Sequence, residues 1–183
     1  IATEMTRCIH CTRCVRFMSE IAGTNELGGI GRGEHTEIGT YIGKSIDSEL
    51  GGNIIDVCPV GALTNKVFRF RARPWELIAR ESIADHDCLG SNLFLHLRRG
   101  EVLRVVPRAN EAINESWLSD RDRYSHQGLA AGDRLTRPML RGADGVLREC
   151  SWDDAITRLA SLIGDTPAKD VAAFVGPSTS HEE

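Results

Sequence analysis

Residues 7–17 read RCIHCTRCVRF, and the three cysteines in that stretch, Cys8, Cys11 and Cys14, constrain this chain more than any other feature. Adjacent C-x2-C pairs point to metal or redox chemistry, whereas secreted disulfide scaffolds are short and denser in cysteine. Three thiolates at this spacing can wrap a loop around one cubane, each on a different iron, with loop N–H groups pointing at the sulfides. The spacing is the opening of the bacterial ferredoxin run C-x2-C-x2-C-x3-C-P. Here the position of the fourth cysteine of that run is Met18, so the ligand set has to be completed elsewhere.

Cys58, in CPVGAL, is the candidate. Pro59 has no N–H and a fixed φ, which turns the chain away after the cysteine. One complete set of four results, Cys8, Cys11, Cys14 and Cys58, and four thiolates on four irons make one 4Fe-4S cluster. Two blander alternatives stand beside it. A four-cysteine zinc site normally uses two separated C-x2-C pairs, and the thiols could also be unligated core residues. His10 lies inside the run, but with four thiols available it is expected beside the site or on the surface. Arg7, Arg13 and Arg16 interleave with the cysteines. They either favour the reduced, more negative cluster or are ordinary surface arginines.

The other features exclude more than they propose. The 183 residues suit one ordinary domain or two small ones. A net charge of -4 argues against a nucleic-acid partner. No apolar run approaches the ~20 residues of a membrane helix, and no secretory leader is present, so a reducing, cytosol-like compartment is expected. Ile1 at one end and Glu183 within a Ser/Thr-rich stretch at the other suggest a piece of a longer protein. Three further stretches read as loops rather than sites: Asp85-His86-Asp87, Ser178-Thr179-Ser180-His181, and GIGRG at 29–33. The last lacks the strand–turn–helix setting of a dinucleotide fingerprint. No catalytic residues are expected.

Three sections emerge. In residues 1–74 a helix follows Cys14, with Cys14, Met18, Ile21 and Ala22 on one face and Gly23 as its stop. LGGIGRG reads as a loop, EIGTYIG as a short strand, and the stretch before Cys58 as turns and a short helix. Residues 75–132 contain a hairpin, Asn92 to Arg98 and Glu101 to Val106 around Arg99-Gly100, with Leu93, Leu95 and Leu97 on one face. A polar, partly helical stretch follows. Residues 133–183 carry a helix with Ser151 as N-cap and Asp154 behind it. Its apolar face is Ile156, Leu159, Ala160 and Ile163, and Gly164 closes it. VAAFVG at 171–176 then reads as a buried strand, the opening of an α/β domain.

The segments MTRCIHCTRCVRF, RGEHTEIGTYI, SELGGNIIDVCPVGALTNK, FRARPWEL, ESIADHDCLGSNL and GEVLRVVPRANEAINESWLSD closely resemble the large iron–sulfur subunit of respiratory NADH:quinone oxidoreductase, complex I (the 75 kDa subunit in mitochondria, with its counterpart in bacteria). The likeness spans nearly the whole chain, is most specific over residues 5–124, and weakens beyond about 150. It implies an α+β chain: a small ferredoxin-like iron–sulfur domain, then a β-rich small domain, then the start of an α/β molybdopterin-oxidoreductase-like domain. It assigns Cys8, Cys11, Cys14 and Cys58 to one tetranuclear cluster, in agreement with the spacing. The family's 2Fe-2S domain and its second 4Fe-4S cluster, with one His and three Cys ligands, would lie upstream of Ile1.

The middle section resembles the small iron–sulfur domain of molybdopterin oxidoreductases. Some bacterial members keep a further cluster there, with ligands spaced C-x2-C-x3-C-x27-C. Aligned on Ser82-Ile83 and Gly90 to Asn92, those positions are Ala84, Asp87, Ser91 and Ser119. None is cysteine, and Cys88 is one residue out of register. That cluster is therefore expected to be absent, with Cys88 and Cys150 free thiols, and no molybdopterin is expected in the third section. The resemblance also implies a function. Electrons from NADH would enter at the flavin of a partner subunit and pass through this cluster toward quinone-side iron–sulfur subunits. The protein would be peripheral on the cytoplasmic face of the bacterial inner membrane or the mitochondrial matrix side. The rivals are the iron–sulfur subunit of an NAD-linked hydrogenase or formate dehydrogenase, and a zinc-stapled interaction module. ESIADHDCLGSNL and NEAINESWLSD favour complex I, since a formate dehydrogenase would normally keep the cluster ligands there.

Overall fold

The computed structural model describes residues 1–41, 44–176 and 179. It divides into two compact units, Ile1–Gln127 and Gly128–Glu183. In the first, β1 (Ala2–Thr3) leads through a single 3-10 turn to the cysteine loop and α1 (Arg13–Arg16). Next come the hairpin β2 (Leu27–Ile30) and β3 (Glu37–Thr40), α2 (Asn53–Val57) and β4 (Leu63–Thr64). β1 pairs antiparallel with β4, Ala2 opposite Thr64. Cys14, Phe17, Met18, Leu27, Ile38, Ile54 and Leu63 form one buried core between these elements.

Two expectations change here. The helix after Cys14 does not keep its phase: Phe17–Ile21 widens into a π turn. Wider winding rotates later side chains off the face set by Cys14. Phe17 and Met18 are therefore buried while Ile21 stands exposed. Gly23 ends the helix at φ +70° as expected. LGGIGRG is not a loop throughout, because Leu27–Ile30 pairs with Glu37–Thr40 in full register. Its glycines give no alternating side chains to read, and backbone pairing with Leu27 buried decides the matter. Positions 42 and 43 of EIGTYIG lie outside the described residues.

The remainder of the first unit is a three-stranded antiparallel sheet, β5 (Ile78–Ile83), β6 (Asn92–Arg98) and β7 (Glu101–Pro107), followed by α3 (Asp120–Tyr124). The β6–β7 turn is the expected one. Arg99 and Gly100 have φ of 54° and 83°, the two positive values a tight type I′ connection needs. β7 extends through Pro107, paired with Leu93, with an irregularity between His96 and Leu97. β5 is an edge strand that sequence reading missed. Almost all of it is exposed, so it carries no one-faced pattern. Ala84, Leu93, Val105 and Leu118 make the core beneath the sheet. Residues 1–74 and 75–127 are joined by buried polar contacts. Asn53 Nδ2 donates to Leu118 O at 2.8 Å, Leu118 N–H donates to Asn53 Oδ1 at 3.0 Å, and Gly52 N–H donates to Asp120 Oδ1 at 2.7 Å.

The second unit holds the hairpin β8 (Met139–Arg141) and β9 (Leu147–Glu149) and the helix α4 (Trp152–Asp165). Ser151 caps α4 as expected, accepting from Asp154 N–H at 3.1 Å. The helix runs through Gly164 to Asp165 and is capped by Thr166, two positions beyond the expected closing glycine. Ile156, Leu159 and Ile163 are exposed in this chain. VAAFVG is not a buried strand: residues 171–176 pair with nothing and are exposed, Phe174 at 98%. An apolar run becomes a strand only against a neighbour that completes its hydrogen bonds, and none is present among the described residues. No helix among them is long and apolar enough to cross a membrane.

One contact makes the sheet sensitive to pH. His96 Nδ1 accepts the Nε–H of Arg104 at 2.9 Å. Burial, reinforced by the Arg104 charge, holds the imidazole below its ordinary 6.5. A nitrogen accepting that bond has no room for a proton, so His96 is neutral in the fold. A histidine pKa depressed on folding contributes stability that is present above the unfolded value and is lost as pH falls through the folded one. The denaturant midpoint therefore falls as the pH drops below the ordinary imidazole value of about 6.5. His96→Gln, which keeps an acceptor, should flatten that dependence, and an unchanged acid slope would contradict the account.

Candidate metal centre

The triplet loop is shaped by two residues in left-handed backbone. His10 and Thr12 have φ of 52° and 57° and flank Cys11. The chain thus reverses on either side of it, and Cys8, Cys11 and Cys14 line the same side. A 3-10 turn at Met5–Arg7 anchors the entry, with Cys8 N–H donating to Met5 O at 2.9 Å. Cys14 is buried at the start of α1. Cys58 stands at the C-terminal end of α2, extended at φ -76° and ψ 113°, as the residue before a proline is pushed to be. The β1–β4 pairing and the bond from Glu4 N–H to Ala62 O at 2.8 Å hold the Cys58 turn against the segment that enters the triplet.

All four cysteines border one small hollow, otherwise lined chiefly by apolar side chains such as Met5, Ile9, Ile38 and Leu63. Among the described residues no three His, Cys, Asp or Glu side chains are grouped so as to hold a single metal ion. The thiols ring a space instead. Burial pushes the Cys14 thiol up, and the nearby Cys11 and Cys58 sulfurs add to that against two backbone N–H groups. Burial acts in the same direction on Cys58, but the backbone amides of residues 60–63 outweigh it and hold this thiol below its ordinary value. His10 N–H donates to Cys8 Sγ at 3.4 Å. Crowded, half-desolvated sulfurs with amides aimed at them suit thiolates held by metal: bound iron replaces the protons, and the N–H groups solvate the negative sulfur.

The flanking residues are placed as follows. Arg13 reaches the rim of the hollow, Arg16 is exposed and pairs with Glu20 at 3.3 Å, and Arg7 is exposed. His10 is exposed and does not line the hollow. The side chains that brace the site from outside, Asn53 and its partners, were missed in the sequence, where nothing marks contacts between residues so far apart.

The second set of positions does not fit a cluster. Ala84 and Ser91 are buried, with Ala84 N–H donating to Ser91 O at 2.8 Å. Asp87 Oδ1 accepts the N–H groups of Leu89, Gly90 and Ser91 at 3.1, 2.7 and 3.3 Å, so a carboxylate gathers amides where a thiolate would. Ser119 caps α3, accepting from Asp122 N–H at 3.1 Å and donating to Asp122 Oδ2 at 2.6 Å. Cys88 is exposed. Asp85 and His86 form an exposed pair at 3.4 Å. GIGRG lies in and after β2. Ser178, Ser180 and His181 lie outside the described residues.

Two family profiles match the chain. One, described as NADH-quinone oxidoreductase subunit 3, ferredoxin-like domain, covers residues 1–64. The other, NADH-ubiquinone oxidoreductase NDSU1/NuoG-like, 4Fe-4S domain, covers residues 77–127. Over 182 residues, all of this chain, it is 50% identical to the mitochondrial NADH dehydrogenase (ubiquinone) iron-sulfur protein 1 of Solanum tuberosum. Over the same length it is 49% identical to the G subunits of the NADH-quinone oxidoreductases of Rickettsia conorii and Rickettsia bellii. The chain is a homologue of these proteins. It spans about a quarter of their length, 24% of the potato protein and 27% and 26% of the two rickettsial ones. Both profiles describe iron–sulfur domains, and the mixed helix and strand content of the chain fits them. The second profile's name notwithstanding, residues 77–127 contain one cysteine, Cys88.

The turn after Cys58 gives a direct test of the local geometry. Gly61 has φ +68°, and a Cβ there would meet nothing closer than 3.9 Å. Gly61→Ala would therefore incur backbone strain without a clash, and should cost about 1–2 kcal/mol of unfolding free energy, read from denaturant titration of the metal-free chain. A neutral outcome would mean that the amides facing Cys58 are not held by this turn.

Proposed function

We propose that this chain is part of the electron-transfer subunit of a proton-translocating NADH:quinone oxidoreductase and carries electrons from NADH and flavin toward quinone. The observation that carries the reading is the meeting of Cys8, Cys11, Cys14 and Cys58 at one apolar hollow. A 4Fe-4S cluster bound there supplies one-electron oxidation and reduction. The chain's own residues would do the rest: the four thiolates would hold the irons, and thiols spaced around a hollow are what such a group needs. Met5, Ile38 and Leu63 would keep water from the sulfides, and the amides near Cys8 and Cys58 would solvate the added charge. Arg13 at the rim favours the reduced form.

The division into 1–74 (cluster-binding), 75–132 (a former cluster domain) and 133–183 (the beginning of a molybdopterin-oxidoreductase-like domain without its cofactor) belongs to the same proposal. So do a single cluster in this chain, further 2Fe-2S and 4Fe-4S clusters upstream, and Cys88 and Cys150 as free thiols. The partners are the flavin- and NADH-binding subunit and the quinone-side iron–sulfur subunits, in a peripheral arm on the cytoplasmic or matrix side of the membrane.

Reconstitution of the 183-residue chain should take up about four irons and four sulfides. About eight would mean that residues 84–119 still hold a cluster, and a colourless zinc-loaded product would sink the redox reading. In the assembled complex, Cys58→Ala should remove one cubane signal from the reduced EPR spectrum and interrupt electron flow from NADH to quinone. Wild-type quinone reduction with an intact spectrum would refute the ligand assignment.

A further inference from the structure

Arg123 is the largest fully buried side chain among the described residues, 1% exposed, and it lies in α3, well outside the ligand loop. Its Nη2 donates to Asp56 Oδ2 at 2.6 Å and to Asn53 Oδ1 at 3.0 Å. Both acceptors belong to α2, and Asp56 is two residues before Cys58. Asn53 is itself fully buried and bonded on every side, to Leu50 O, to both backbone groups of Leu118, and to Arg123. The guanidinium lies so close to the backbone that a Cβ on Gly52 would stand 2.8 Å from Arg123 Cδ and Nε, and 2.3 Å from Asp120 Oδ1. α2 has five residues and no side-chain cap, too little to hold a ligand in place alone.

We propose that Arg123 is a positioning residue for Cys58: by bridging Asn53 and Asp56 it clamps α2 and so fixes the fourth ligand of the cluster from the neighbouring section. This rests on the cluster assignment above. The clamp also sets the local charge. The Asp56 carboxylate is balanced by a cation that cannot leave, so the charge felt at Cys58 depends on both members of the pair. A role of this kind differs from general stability because the same loosening should accompany opposite electrostatic effects when either partner is removed.

The test uses the assembled complex, with the EPR signal that Cys58→Ala abolishes as the marker of this cluster. Chelator-driven loss of that signal and its midpoint potential are measured in Arg123→Met, Asp56→Asn and Leu93→Ala. Leu93 lies in the separate core under the sheet and serves as a matched destabilised control. Arg123→Met and Asp56→Asn should lose the signal about tenfold to a hundredfold faster than wild type, with Leu93→Ala at the wild-type rate. The potential should move down in Arg123→Met, which leaves the Asp56 charge unbalanced, and up in Asp56→Asn. Equal acceleration in Leu93→Ala, wild-type kinetics in the two clamp variants, or potentials moving in the same direction would overturn the proposal. If Arg123→Met fails to assemble, Asp56→Asn decides alone, by whether its signal is lost faster and its potential rises. A signal that survives Cys58→Ala would instead defeat the cluster assignment and leave the clamp to be judged by the mobility of α2.

Discussion

Asn53 has no solvent exposure and no spare hydrogen-bonding capacity, and the arrangement of the first unit depends on that amide. Its oxygen takes one backbone N–H and one guanidinium, and its nitrogen serves two carbonyls. A buried amide left with any of these unmade costs more than the bond contributes when made, so the segment around Leu118 and the helix ahead of Cys58 can meet in one way only. Asp120 on the Gly52 amide and Arg123 on Asp56 extend the same contact. The two sections that the sequence suggests as separate are thereby joined through the one short helix that carries the remote cysteine.

The site on the other side of that helix obeys the opposite rule. Its sulfurs crowd one another and have mainly backbone amides to set against that crowding. Burial and mutual charge work against the Cys14 thiolate, while amides support that of Cys58. Such a cluster of groups makes physical sense when a metal takes the place of the protons. The middle section shows the contrast. At the positions aligned with a further cluster, Asp87 gathers three amides, and Ser119 donates to Asp122 Oδ2 while accepting the Asp122 N–H. A methyl, a carboxylate and two hydroxyls stand at these positions, and none of the four is a thiol.

Legibility in the sequence tracked the range of the interaction. Cys8, Cys11 and Cys14 stand out in the sequence as one motif because seven residues contain the whole device, and Cys58 stands out because proline marks it. The β6–β7 turn at Arg99-Gly100 and the Ser151 cap were readable for the same reason: each is decided within four residues. The β2 strand was not, since LGGI carries no alternation and exists through its pairing with Glu37–Thr40. Ile21 was assigned to a buried face by a helical period that a π turn then broke. VAAFVG looked like a strand by composition, yet strands need neighbours.

By itself, the sequence determined the chemistry available: four thiols in two marked motifs, a chain of net charge -4, and a second set of positions without cysteine. Those are properties of residue identity and local spacing, which survive in any conformation. Only the tertiary structure decided that the remote cysteine meets the triplet at a common apolar hollow, and that a buried arginine from another section holds its helix. Both depend on hydrogen bonds and packing between residues more than forty positions apart, where chain entropy opposes the encounter and the assembled interior alone outweighs it.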